Sequence, residues 1–122
     1  MAVAWFTGAT GSGRAFVAFS KDSGVTFGPA LRVDDNEAIG RVQIQLLPDG
    51  AAAVLWIDSP RSQLKVRRID PTGARSASLL IGEGMGSSHP RMSRDPEGLV
   101  FAWVDSAGSN TRIRTARASL SR

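Results

Sequence analysis

The sequence predicts an all-β fold made of repeated antiparallel sheets of short strands, and three observations lead to that prediction. Tryptophan recurs at spacings of 51 and 47 residues, as Trp5, Trp56 and Trp103, each near the end of an apolar stretch. A Pro-acid-Gly turn recurs at a spacing of 48 residues, at 48–50 and 96–98. No segment shows a sustained helical period. A period of about 47 residues with four short strands is typical of a β-propeller blade. We therefore expect a partial propeller of about two and a half four-stranded antiparallel blades.

Residues 1–38 are predicted to form strands B, C and D of a first blade. Residues 2–7 are short and apolar and lead into the glycine-rich turn 8–13. Residues 14–20 alternate aromatic and small side chains, which indicates a second strand. A third strand is expected at 30–34, before a polar connection.

Residues 39–86 are predicted to form a complete blade, and residues 87–122 the strands A, B and C of another. The run 51–57 is almost entirely apolar, as expected for a central strand covered on both faces. The other segments alternate or are bounded by turn residues. The predicted strands are 41–46, 51–57, 63–69 and 78–81 in the complete blade, and 89–93, 99–105 and 111–118 in the last one.

A polar octapeptide, Ser-Lys-Asp-Ser-Gly-Val-Thr-Phe, follows the second predicted strand of the first blade and starts at Ser20. Asp22 can accept hydrogen bonds from backbone N–H groups two residues onward, and Gly24 can adopt a positive φ without a Cβ clash. Ser20 and Thr26 can add hydroxyl bonds, and Phe27 is expected to fold under the loop into the sheet packing. We therefore predict a structural turn, with an ordinary polar hairpin as the alternative.

In residue order, this stretch resembles the Asp-box, also called the BNR repeat, of sialidase-like β-propellers. All five positions of the motif match. The stretch Asp70-Pro71-Thr72-Gly73 stands where the next box would be, but it lacks the Thr and the aromatic that follow the glycine in the motif. The resemblance implies that the box lies between the third and fourth strands of a blade, away from any catalytic centre. It also suggests a C-terminal piece of a larger, exported propeller of about six blades, or an assembly that closes by association. The matching residues are Ser20, Asp22, Gly24, Thr26 and Phe27.

The same resemblance raises glycoside hydrolysis as a function. Sialidases are known for an arginine triad that grips the substrate carboxylate, a tyrosine nucleophile paired with a Glu, and an Asp acid/base. This chain has no tyrosine and no Arg-Ile-Pro signature. We therefore predict no catalytic residue here. A remnant of a sialidase-like glycoside hydrolase, with its catalytic residues outside this chain, is the alternative.

Composition excludes several other classes of site. The chain has no cysteine, so disulfides, thiolate metal sites and cysteine nucleophiles are excluded. His89 is the single histidine and has no partner for a metal site, so we expect a structural turn role, no metal and no cofactor. No apolar run approaches the length of a membrane span. No basic segment precedes the first apolar residues, so we expect no signal peptide in this stretch.

The net charge of +4, from 15 cations and 11 anions, could favour an acidic partner such as a nucleic acid or an anionic glycan. The cations are spread along the chain, so nucleic acid is not expected, although a basic polyanion-binding module is a second alternative. Two locally dense groups are interpreted as solvated outer faces, with a binding patch as the alternative. These groups are Lys65, Arg67 and Arg68, and Arg112, Arg114 and Arg117.

Arg41 and Arg91 each lie near the beginning of a predicted innermost strand, where propeller ligands commonly meet the central channel. We consider both as candidates for anion or ligand binding, with an inter-blade salt bridge or a solvated arginine as the alternative. The sequence thus predicts a non-catalytic scaffold that is structural or binds a ligand or protein. Its expected partners are the rest of a larger propeller or further copies paired through open blade edges, and a glycan or other anion.

Overall fold

A computed structural model describes residues 1–8, 12–84, 89–107 and 110–119, and these residues form ten β-strands and no helix. The all-β prediction is confirmed. No helix in the described ranges is long and apolar enough to cross a membrane. The strands are β1 (Ala2–Thr7), β2 (Arg14–Phe19), β3 (Leu31–Arg32), β4 (Ala38–Leu46), β5 (Ala52–Asp58), β6 (Gln63–Ile69), β7 (Leu79–Gly82), β8 (Arg91–Asp95), β9 (Gly98–Ala107) and β10 (Asn110–Ala118).

The strands form three separate antiparallel sheets, none of which closes on itself. The N-terminal sheet has the order β1-β2-β3, the central sheet β4-β5-β6-β7, and the C-terminal sheet β8-β9-β10. Each strand pairs with its neighbour along the chain, so each sheet is a meander. The sheets contain three, four and three strands, as expected from the sequence pattern.

The central sheet lies between the other two, and its strand β5 is buried along its whole length. Because successive side chains of a strand point to opposite faces, β5 contributes to two cores. Leu55 and Ile57 pack in a cluster with Phe101 of the C-terminal sheet. Val54 and Trp56 pack in a cluster that includes several residues of β2. The prediction of a central strand covered on both faces is confirmed.

The first strands of the central and C-terminal sheets lie side by side and are joined through side-chain amides. Gln43 Nε2 donates to the Pro90 carbonyl at 2.9 Å, and the Met92 N–H donates to Gln43 Oε1 at 2.8 Å. Gln45 Nε2 reaches the Met92 carbonyl at 3.5 Å. These side chains satisfy backbone groups in β8 and directly before it that have no strand partner on this side.

The strand bounds differ from the predicted ones mainly at β3 and β4. β3 contains only two residues. Just beyond it, the Asp34 side chain accepts a hydrogen bond from the Ala15 N–H at 2.8 Å. β4 begins at Ala38, three residues earlier than expected, and its pairing shifts around Gly40 and Arg41, which both have positive φ. Parts of the predicted turn 8–13 and connection 82–88 lie outside the described residues.

Candidate functional site

The carboxylate of Asp22 organises the turn between β2 and β3. The Thr26 N–H donates to Asp22 Oδ1 at 2.9 Å, and the Thr26 hydroxyl donates to Oδ2 at 2.5 Å. Ser20 Oγ donates to Oδ1 at 2.8 Å and accepts from the Gly24 N–H at 2.8 Å. Gly24 has a φ of 89°, which favours glycine. The carboxylate thus reaches an N–H group four residues onward, rather than the predicted two.

The same hydrogen bonds fix the charge state of Asp22. Bonds from the side chain and backbone of Thr26, and then from Ser20, lower the pKa of Asp22 from 3.8 to about 2. A group with so low a pKa stays ionised at neutral pH and cannot serve there as a general acid. The role of this carboxylate is therefore to hold the turn.

Phe27, the aromatic that ends the octapeptide, is 42% exposed. The prediction that it folds under the loop into the sheet packing is wrong. Phe19, the last residue of β2, already occupies the packing between the N-terminal and central sheets at this point. Phe27 instead lines an open cleft of about 350 Å³ together with Leu31 and Pro71.

Asp70 holds the turn between β6 and β7 in a similar way. Its Oδ1 accepts from the Thr72 N–H at 2.9 Å, from the Thr72 hydroxyl at 2.5 Å and from the Ala74 N–H at 3.1 Å. The Thr72 hydroxyl bond is the main cause that lowers the pKa of Asp70. Both Asp-centred turns join the last two strands of a sheet, and both use an N–H group four residues after the Asp.

The two candidate arginines, Arg41 and Arg91, lie in one cleft of about 340 Å³. Its wall also includes His89, Gln43 and the buried Pro90, and none of the described residues that line it is acidic. Arg41, Arg91 and His89 are all exposed. An arginine guanidinium can donate two parallel hydrogen bonds to a carboxylate, sulfate or phosphate. Two such guanidinium groups therefore line one cleft.

Sequence reasoning assigned His89 to a turn and missed its place beside the arginines. His89 lies two residues before Arg91, and residues two apart in an extended segment share a face. From this spacing, the sequence could have predicted that His89 lies on the same face as Arg91. The backbone of this segment is held by the bonds between Gln43 and the Pro90 and Met92 backbone.

Lys65 and Arg67, predicted to lie on a solvated face, instead reach across to the N-terminal sheet. Lys65 Nζ lies 3.0 Å from Asp35 Oδ2 and 3.2 Å from Asp58 Oδ2. Arg67 donates to Asp35 Oδ1 at 2.8 Å and to the Val33 carbonyl at 2.8 Å. The prediction is wrong for this pair because the central sheet has no solvated face at β6, and the charges are matched by acids in the interface.

Asp58 is the most buried member of this ion cluster. It accepts from Trp56 Nε1 at 3.1 Å in addition to its ion pair with Lys65. Burial opposes the charged form of Lys65, but hydrogen bonds and attraction from Asp35 and Asp58 outweigh it and raise the pKa of Lys65. The Arg67 guanidinium also lies 5.5 Å from the centre of the Trp56 ring. This ion cluster therefore connects the central sheet to the N-terminal sheet.

The other dense group of cations is solvated, as predicted. Arg112 and Arg114 are exposed and lie 3.5 and 3.7 Å from Asp105, and the exposed Arg117 pairs with Asp95. Among the described residues, no group of three His, Cys, Asp or Glu side chains could hold a metal ion.

Comparison of the chain with protein-family models, with curated proteins and with solved structures gives no match.

Proposed function

We propose that this chain is a non-catalytic part of a sialidase-like, Asp-box β-propeller, and that it serves as a scaffold that binds an anionic ligand in the cleft of Arg41 and Arg91. Three features of the fold support the propeller part of the proposal. The sheets are successive meanders packed face to face. The first strands of two neighbouring sheets, β4 and β8, lie side by side, as inner strands do around a propeller channel. The two Asp-centred turns occupy the same hairpin in successive sheets.

The state of the carboxylates supports a non-catalytic role. Asp22 and Asp70 are held by the hydrogen bonds of their own turns. Asp35 and Asp58 are committed to cations between sheets. A glycosidase of the usual kind needs two carboxyl groups, or a tyrosine and a carboxyl group, facing an open substrate site. Asp95 and Glu97 do line one open cleft, but Asp95 is paired with the Arg117 guanidinium, and the chain has no tyrosine.

The observation that carries the binding part of the proposal is the meeting of Arg41 and Arg91. These residues lie 50 positions apart in the sequence, yet they line one cleft with His89. Within the described ranges, no salt bridge joins either arginine to a carboxylate. Their hydrogen-bond donors are therefore available to a ligand that carries a carboxylate, sulfate or phosphate group, such as an acidic sugar.

The experiment is a titration with N-acetylneuraminate and, separately, with inorganic sulfate, followed by the amide resonances of isotope-labelled protein. Arg41→Gln and Arg91→Gln should each weaken binding roughly tenfold or more, because a charge-assisted hydrogen bond contributes about 1.5–3 kcal/mol. The matched control is Arg61→Gln, which changes an exposed arginine outside the cleft. It should bind like the wild type.

Two results would contradict this proposal. Equal losses in all three variants would mean that the ligand responds to net charge alone. Unchanged affinity in Arg41→Gln and Arg91→Gln would remove the cleft as the site.

Steeply salt-dependent binding of single-stranded DNA, weakened by Arg112→Gln and unaffected by Arg91→Gln, would instead favour the polyanion-binding module.

A further inference from the structure

We infer that two copies of this chain associate head to tail into a closed ring of six sheets. The inference rests on the proposed propeller architecture and names the partner that completes it. The face around Trp5 in each copy would pack against the face around Val104 and Ile113 in the other. The register of the repeat gives every sheet two different faces.

The tryptophans define the first of these faces. Trp56 pairs across the strands with Lys65, Trp103 with Arg114, and Trp5 with Phe16, so the three occupy the same place in successive sheets. Trp56 packs with residues of the preceding, N-terminal sheet and is 0% exposed. Trp103 packs with residues of the preceding, central sheet and is 8% exposed. In both cases the tryptophan face of a sheet is covered by the sheet before it.

The N-terminal sheet has no sheet before it in this chain, and its tryptophan face is open. Trp5 is 36% exposed and stacks on Phe16 with ring centres 5.7 Å apart. Val3, two residues earlier on the same face, is also exposed. We call this surface, formed by Val3, Trp5 and Phe16, the head face.

In the central and C-terminal sheets, the opposite face is marked by an aliphatic pair one position after the tryptophan pair. In the central sheet this pair is Ile57 and Leu64, which are buried against the C-terminal sheet. In the C-terminal sheet the pair in the same register is Val104 and Ile113. These two are 50% and 75% exposed. We call the surface around Val104 and Ile113 the tail face.

Both sheet-to-sheet contacts inside the chain join a head-type face to a tail-type face. Ala15 of the N-terminal sheet packs in the same cluster as Trp56. Phe6 is the cross-strand partner of Ala15 and shares its face, and this pair stands in the register of Ile57 and Leu64. The uncovered head face and the uncovered tail face at the two ends of the stack are therefore the two halves of the same contact. Neighbouring exposed apolar side chains, such as those of the head and tail faces, are typical of interaction surfaces. The partner that continues the existing contacts is a second copy of this chain.

The number of copies follows from the number of sheets. Propellers close with about four to eight blades, and one copy provides three sheets. Two copies provide six sheets, which lies within this range, whereas three copies provide nine. Contacts between unlike faces give rings when the rotation closes. A two-fold ring therefore buries both faces of both copies.

The test measures the mass of the protein in solution by light scattering over a range of concentrations. The wild type should have twice the chain mass of 12.9 kDa. Val3→Arg alters the head face and Ile113→Arg the tail face at positions that are exposed in a single copy. Each should raise the dissociation constant of the dimer roughly a hundredfold, because an unpaired charge would enter an apolar contact. The control Val25→Arg, in the exposed turn of Asp22, should remain dimeric, and circular dichroism should show that all three are folded.

Mixing the two variants gives a second readout. A ring with one Val3→Arg copy and one Ile113→Arg copy has one unaltered contact, so the mixture should form more dimer than either variant alone. A folded wild type that is monomeric would overturn the inference. So would a mass that grows without limit, or a loss of association in only one of the two variants, which would indicate like faces pairing.

The outcomes for the ring and for the cleft are distinguishable. A monomeric wild type whose sulfate binding is still weakened by Arg91→Gln removes the ring and leaves the binding proposal standing. A dimer that passes the mixing test but does not bind oxyanions removes the binding proposal and supports the ring.

Discussion

Replacing Asp58 with Ala should destabilise the protein strongly, because Asp58 serves two buried groups at once. The change leaves Trp56 Nε1 without its acceptor at 3.1 Å inside the core. It also removes one of the two acids that hold Lys65. The side chain of Asp58 is 0% exposed, so water cannot replace these contacts without a rearrangement of the interface.

The magnitude follows from these two losses. An orphaned buried donor costs about 1–3 kcal/mol, and removal of one partner of a buried ion pair costs about 3–5 kcal/mol. Lys65 keeps Asp35 at 3.0 Å, which places the second loss at the low end of its range. We expect a total of about 4–6 kcal/mol in the free energy of unfolding. Asp58→Asn, which retains an acceptor for Trp56, should lose less than Asp58→Ala.

Asp105 provides the matched control because it occupies the same position two residues after a repeat tryptophan. It lies 3.5 and 3.7 Å from two exposed arginines, and its own side chain is 36% exposed. Exposed ion pairs contribute about 0–1 kcal/mol and weaken with salt. Asp105→Ala should therefore cost less than about 1 kcal/mol, and that cost should disappear in concentrated salt, whereas the cost of Asp58→Ala should remain.

The assay is urea unfolding followed by tryptophan fluorescence and circular dichroism. With a slope of about 2 kcal/mol per molar urea, Asp58→Ala should lower the midpoint by about 2–3 M at an unchanged slope. Equal losses for the Asp58 and Asp105 variants would refute the reasoning, since burial in the interface between sheets would then add nothing to the ion pair.

Two further predictions concern turns. The pKa of Asp22 is lowered on folding from 3.8 to about 2, so its charge adds stability above about pH 4, and this stability is lost as the pH falls towards 2. The stability advantage of the wild type over Asp22→Asn in urea unfolding should therefore shrink between pH 4 and 2; a gap that stays constant would contradict this role. Gly98→Ala should cost at least about 2 kcal/mol, because Gly98 has a φ of 145° and an added Cβ would lie 2.6 Å from the Ala118 carbonyl oxygen. Gly50→Ala, in the equivalent turn with open space around it, should cost about 1–2 kcal/mol, and similar thermal unfolding shifts for both would argue against the clash.

The sequence predicted the features that depend on spacing and missed those that depend on what covers a face. The tryptophan period located the sheets, and the apolar run at 51–57 located the buried strand. Strand alternation correctly placed Lys65 and Arg67 on one face. The prediction that this face is solvated failed because the central sheet is covered on both sides. Asp35, the acid that pairs with both cations, lies 30 residues from Lys65 and 32 from Arg67 along the chain, beyond the reach of a local pattern.

Local patterns also failed where the backbone departs from regular pairing. The bulge in β4 gives Arg41 a φ of 60°, and no residue near Arg41 other than Gly40 signals it. The motif match at Phe27 predicted burial, but Phe19 competes for the same interface and is in the regular strand. Motif position alone does not decide which of two nearby aromatics packs into a core.

The chain has a net charge of +4 although many of its cations are in ion pairs. Its cations fall into two groups, those paired with acids and those in excess of the acids. Lys65 and Arg67 hold two sheets together, and Arg68 pairs with Asp49 at 2.7 Å. The acids are largely committed to such contacts, so the cations that exceed them are left without partners. Arg41 and Arg91 belong to this excess, and the fold places both in one cleft. A change of either arginine should therefore reduce oxyanion binding with little effect on unfolding, which is the reverse of the expectation for Lys65 and Arg67.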